Sequence, residues 1–63
     1  MRNHIKFFRS LTGLTQREVA KCVGISVYHL SCLENNKYQP SISTALKLAR
    51  FFNLPVEYLF YME

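Results

Sequence analysis

At 63 residues the chain has room for one small domain, 1–63, and none for a second. With 49% hydrophobic and 14% aromatic residues it carries enough apolar material for a packed core, which excludes a disordered segment. Eight Lys/Arg against four Asp/Glu leave a formal charge of +4, a balance that fits either a polyanion partner or a merely basic soluble protein.

Helix punctuation is dense along the chain. A first helix is expected from about Arg2 to Thr12, with Ile5, Phe8, Arg9 and Thr12 on one face and Gly13 as the stop. Leu14 follows as a staple residue. Thr15-Gln16-Arg17-Glu18 reads as a capping box, in which the Thr15 hydroxyl serves the Glu18 amide and the Glu18 side chain returns the bond. The second helix then runs Gln16 to Val23, buries Val19, Ala20 and Val23, and ends at Gly24. Only Ile25 separates that glycine from Ser26, a new N-cap.

A third helix is expected over Val27 to about Asn35, with Leu30 and Leu33 inward. Asn35 to Pro40 has turn composition. Ser41 caps a fourth helix, Ile42 to Phe52, whose inward stripe reads as Ile42, Ala45, Leu46, Ala49 and Phe52, with Asn53 as terminator. Pro55 suits the first position of a short fifth helix carrying Val56, Leu59 and Phe60. The fold class is therefore all-α: five short helices and no convincing strand.

The join of the second and third helices carries the functional signal. Two short helices meeting at Gly24-Ile25-Ser26 make a helix-turn-helix, in which glycine permits a steep crossing. B-DNA's major groove, about 12 Å wide, admits one such helix, while the preceding helix lies across the backbone.

Gly13-Leu14-Thr15-Gln16, Val19-Ala20, Val23-Gly24-Ile25-Ser26, Leu33-Glu34-Asn35, Lys37 and Pro40-Ser41 together resemble the Cro/repressor (XRE-type) helix-turn-helix family. The likeness continues through Ala45-Leu46, Ala49 and Val56-Glu57-Tyr58-Leu59-Phe60, nearly the whole chain. It implies a lambda-repressor-like fold and sequence-specific binding of double-stranded DNA in transcriptional control, with repression favoured over activation. It implies phosphate contacts from Gln16, Asn35 and Lys37, to which Arg17 is added because it flanks the expected groove. Arg9 and Glu34 match the family's ion pair between the first and third helices. Base reading falls to the outward face of the third helix: Ser26, Val27, Tyr28, Ser31 and Cys32. Relatives commonly place Arg, Lys or Gln at the positions of Val27, Tyr28 and Cys32, where bidentate base contacts are made; this chain has none there.

Other features have plainer readings. His29 is a surface residue before it is a proton sensor. Cys22 and Cys32 are small apolar fillers before they are a redox pair, and Cys32 lies on the DNA-facing side. Two thiols with no histidine pair at ligand spacing make no zinc site, so neither metal nor cofactor is expected. No apolar run approaches the roughly 20 residues of a membrane span, and the N-terminus has no secretory leader; a cytoplasmic protein with reduced thiols is expected. Phe7 and Leu11 are left over on the first helix, and Tyr58, Phe60, Tyr61 and Met62 crowd the C-terminus as candidates for a homodimer interface. No segment follows that would hold a small-molecule effector, and none is expected. An alternative use of the scaffold is protein interaction, antitoxin- or anti-repressor-like, through the uncharged face of the third helix. An enzyme is excluded by the want of any nucleophile–base–orienter set among four carboxylates and two histidines.

Overall fold

The computed structural model describes residues 2–62. Its elements, in chain order, are β1 (Arg2–Asn3), α1 (Ile5–Thr12), α2 (Gln16–Val23), α3 (Val27–Glu34), α4 (Ile42–Phe52), α5 (Val56–Leu59) and β2 (Phe60–Tyr61). The local signals explain the boundaries. Thr15 Oγ1 accepts from the Glu18 amide at 3.1 Å, and Glu18 Oε1 accepts from the Thr15 amide at 2.9 Å, closing the capping box. Ser26 and Ser41 cap α3 and α4 through the amides of His29 and Thr44. Gly13 and Gly24 take φ of +75° and +85° at the ends of α1 and α2, a left-handed conformation in which any Cβ is strained. Asn53 ends α4 with φ +57°.

The first turn expected of α1 is a strand instead. Arg2 pairs with Tyr61 and Asn3 with Phe60 in a two-stranded antiparallel sheet, so the described residues are helical with one small sheet. Asn3 accounts for the difference. Its side chain accepts from the Ile5 amide at 3.0 Å, the local bond that starts a helix two residues later. The same side chain donates to Leu33 O at 2.7 Å and Asn36 Oδ1 at 3.1 Å, so both chain ends are tied to the end of α3. Pro55 caps α5 rather than opening it.

Ile5, Val19, Leu30, Leu33, Leu48 and Leu59 are the largest fully buried side chains, and every helix contributes to this core. The inward stripe of α4 differs from expectation. Thr44, Leu48 and Ala49 are buried, whereas Ile42 is 81% and Leu46 52% exposed. Ala45 and Phe52 remain packed against the core. Apolar residues occur nearly all round this helix, and the stripe that wins includes Thr44, whose hydroxyl accepts from Ser41 Oγ at 3.0 Å and so tolerates burial. Phe60, expected on α5 and at a dimer surface, is instead 6% exposed on β2, because strand pairing turns its ring into the core.

Leu48→Ala is expected to lower stability by about 2–5 kcal/mol. Leu46→Ala, at an exposed site, should stay within about 0.5 kcal/mol of the parent. Urea unfolding followed by circular dichroism measures both; equal losses would contradict this phase of α4.

Candidate nucleic-acid interface

The helix-turn-helix is built from α2, the left-handed Gly24 and the Ser26-capped α3. Gly24 and Ile25 both donate to Ala20 O, at 2.8 and 3.0 Å, so the turn is closed tightly before α3 begins. Ile25 is half-buried against the core, which fixes the direction in which α3 leaves.

The last turn of α3 is held by charge. Arg9 Nε donates to Glu34 Oε2 at 2.7 Å and Arg9 Nη2 to Glu34 Oε1 at 3.1 Å, with side-chain exposures of 16% and 2%. Arg9 Nη1 also donates to Leu14 O at 3.2 Å. The hydrogen bond and charge of Glu34 raise the Arg9 pKa further, so the guanidinium is charged at every relevant pH. Gln16 Nε2 donates to the same carboxylate at 2.9 Å. The Gln16 side chain, expected to face a phosphate, is thus half-buried and directed at Glu34. Hydrogen bonds from the Thr15 amide and hydroxyl lower the Glu18 pKa and keep a carboxylate at the first turn of α2.

Arg17, Asn35 and Lys37 are exposed, as phosphate contacts would need to be. Asn35 Nδ2 donates to Ser31 O at 2.9 Å and closes the end of α3. On the face of α3 the sequence set aside for bases, Ser26, Val27 and Tyr28 are exposed, at 37% for Val27 and 69% for Tyr28. Ser31 is half-buried. Cys32 is 4% exposed and so is not available to a base edge. At the end of α3 the Lys37 amide donates to Cys32 O at 2.9 Å and the Asn36 amide to Leu33 O at 3.1 Å, with Asn36 at φ +61°, which closes the helix.

Tyr38 follows that closure. Its ring meets His29 edge-on, centroids 6.1 Å apart, and half of the residue stays exposed. Tyr38 was not picked out in the sequence, where it reads as one residue of a polar turn; only its aromatic character among Asn, Lys and Gln marks it. His29 is half-buried against it. Of the thiols, Cys32 is the buried filler and Cys22 is exposed, and both are free.

Of the C-terminal apolar group, Tyr58 (62%) and Met62 (78%) are well exposed and Tyr61 less so (36%), with the Tyr61 ring stacked on His4 at 4.6 Å. An open, mainly apolar groove of about 350 Å³ lies between α4 and the C-terminal segment, lined chiefly by Pro40, Ile42, Ala45, Leu46, Val56 and Phe60. No described helix is long and apolar enough to cross a membrane.

Comparison with known proteins agrees with this architecture. A helix-turn-helix family model matches residues 5–59. An HTH-type transcriptional regulator of Methanocaldococcus jannaschii is 40% identical over 63 residues, covering 100% of this chain and 96% of its own length. One from Archaeoglobus fulgidus is 44% identical over 63 residues, covering 100% of this chain and 90% of that protein. The ImmF control region 10 kDa protein of Bacillus phage phi105 is 40% identical over 55 residues, 87% of this chain and 61% of the phage protein.

Glu34→Gln is expected to cost about 3 kcal/mol, since it leaves the Arg9 guanidinium without its counter-charge. Replacing both partners, Arg9→Met with Glu34→Leu, should cost less than the two single changes added together. Denaturant unfolding of the four proteins tests this; strict additivity would show that the pair does not act as a unit.

Proposed function

Because the chain belongs to the XRE-type helix-turn-helix family of DNA-binding transcriptional regulators, which are not enzymes, we propose that it acts as a repressor that sets α3 in the major groove of an operator as a homodimer. The helix-turn-helix itself carries this reading. Its second helix has an exposed N-terminal face of Ser26, Val27 and Tyr28, and its C-terminal turn is locked to α1 and α2 through Glu34. A helix held at both ends presents its side chains to a groove without loss of order on binding. Arg17 and Lys37 flank that face and supply phosphate contacts, joined by Asn35 and by the first-turn amides of α2. Gln16 contributes by orienting Glu34, with its remaining polar capacity turned to a phosphate.

Repression follows from occupancy. The described residues provide α-helical packing and one exposed reading face, and blocking a promoter needs no more than that. Two copies related by a two-fold axis would place their α3 helices about 34 Å apart on a pseudo-palindromic site. Tyr58, Tyr61 and Met62 form the proposed contact, continued by the groove whose floor includes Phe60. One observation supports a second use of the scaffold: α3 carries no Arg, Lys or Gln from Val27 to Glu34, a face suited to a protein partner.

Binding to random and genomic duplex DNA at two salt concentrations, with recovered sites sequenced, tests the proposal. Affinity is expected to fall with salt at a slope of about −0.9 per phosphate neutralised. Lys37→Ala should reduce that slope by about 1 per protomer. Salt-insensitive or unselective binding would favour the protein-interaction use. In equilibrium sedimentation the parent is expected at twice the chain mass. Tyr58→Glu with Met62→Glu should give single chains, and Phe7→Glu on the exposed side of α1 should not. A monomeric parent would overturn the dimer.

A further inference from the structure

The end of α3 is closed by two interlocking bonds, from the Lys37 amide to Cys32 O at 2.9 Å and from the Asn36 amide to Leu33 O at 3.1 Å, around Asn36 at φ +61°. This is the Schellman arrangement, in which a left-handed residue turns the chain and sets where the next residue leaves the helix. Here that next residue is Lys37. Glycine takes such a φ without strain, whereas an asparagine in its place brings a side chain. That side chain is used: Asn36 Oδ1 accepts from Asn3 Nδ2 at 3.1 Å, and the same nitrogen donates to Leu33 O at 2.7 Å.

The Asn3 amide is fixed in one orientation. Its Oδ1 accepts from the Ile5 amide at 3.0 Å, and turning the group over would set one N–H against another and the Leu33 carbonyl against an oxygen. The Asn3 backbone is held as well, by pairing with Phe60, itself 6% exposed. A clamp from the terminal sheet thus grips the turn that carries two proposed phosphate contacts, Asn35 and Lys37, both exposed. A contact made from a turn already ordered loses less freedom on binding than one made from a loose segment.

We infer that Asn3 is a positioning residue for DNA anchoring: it holds the turn 35–37 in the conformation from which Lys37 meets the phosphate backbone. This rests on the DNA-binding reading above. It brings the terminal sheet, remote in sequence from the helix-turn-helix, into the binding apparatus.

Anisotropy titration of a mixed-sequence duplex at low salt tests it, because phosphate contacts carry no sequence information. Two variants loosen the clamp in different ways. Asn3→Ser keeps a hydroxyl to accept from the Ile5 amide but is too short to span to Leu33 O. Asn36→Gly keeps the left-handed φ and removes Oδ1. Each is combined with Lys37→Ala in a double-mutant cycle, at a temperature where thermal unfolding shows the proteins folded. In both backgrounds the affinity penalty of Lys37→Ala is expected to shrink about threefold from its value in the parent, the coupling of groups in one network. A role confined to stability would lower the melting temperature and leave that penalty as it was. An unchanged penalty in either folded variant, or a parent that binds DNA indifferently to Lys37→Ala, overturns the inference while DNA binding stands. A parent that binds no duplex, or binds it without salt dependence, overturns the DNA-binding reading and the inference with it.

Discussion

The Glu34 carboxylate, 2% exposed at the last turn of α3, accepts hydrogen bonds from Arg9 on α1 and Gln16 on α2 and so ties three eight-residue helices together. Helices of that length are marginal alone, and their order comes from tertiary contact. Apolar packing would supply comparable energy, since a buried ion pair often does no better than well-fitted hydrocarbon. What the carboxylate adds is direction. Arg9 meets both oxygens in a fork, and the same guanidinium holds Leu14 O in the turn before α2. The angle between α2 and α3 is therefore set by geometry that a sliding apolar contact would not impose. Asn3 fixes the same end of α3 from the other side, through Leu33 O and Asn36.

Much of this was legible in the sequence because it is written in local chemistry. Capping depends on residues three apart, and Thr15, Glu18, Ser26 and Ser41 act where the pattern put them. The Arg9–Glu34 pair came from resemblance, since nothing local relates positions 9 and 34. Several misreadings involve contacts distant in the chain. Strand pairing of Arg2–Asn3 with Phe60–Tyr61 has no short-range signature and explains why Phe60 is buried, and together with the bond from the Ile5 amide to Asn3 Oδ1 it explains why α1 starts late. On α4, apolar residues on several faces left the rotation open, and only packing against α2 and α5 selects Leu48 over Leu46. Cys32 sits on the helix-wheel face of Tyr28 and is nonetheless 4% exposed, which a wheel drawn for an isolated helix does not foretell.

The burial of Cys32 changes how the interface is understood. A helical wheel treats α3 as a bare rod, with one stripe for the core and the rest for DNA. In the folded chain the stripe through Tyr28, Ser31 and Cys32 is covered progressively toward the C-terminus, so the free face is concentrated at the N-terminal end of α3. Base contacts in helix-turn-helix proteins come chiefly from that end of the recognition helix, and covering the far end costs the proposed interface little. Asn35 and Lys37, the proposed phosphate contacts, are exposed just beyond the C-terminal end of α3. In that proposal reading and anchoring fall at opposite ends of the helix.

The composition of that face also bears on the proposed dimer. Without a bidentate Arg or Gln, a base contact made by Val27 or Tyr28 would discriminate at the low end of the range of about 1–3 kcal/mol per base pair. Nonspecific attraction to phosphates is indifferent to sequence, so a single protomer would be held to DNA more firmly than it is told where to stop. A two-fold dimer would apply the same modest preferences twice on one site: because free energies add, the selectivity ratio of one half-site would be squared, and the phosphate contribution, equal on every sequence, would cancel from that ratio. The exposed Tyr58 and Met62 and the α3 face without Arg, Lys or Gln therefore fit together in the proposed dimer, since weak readers gain selectivity when they act in pairs.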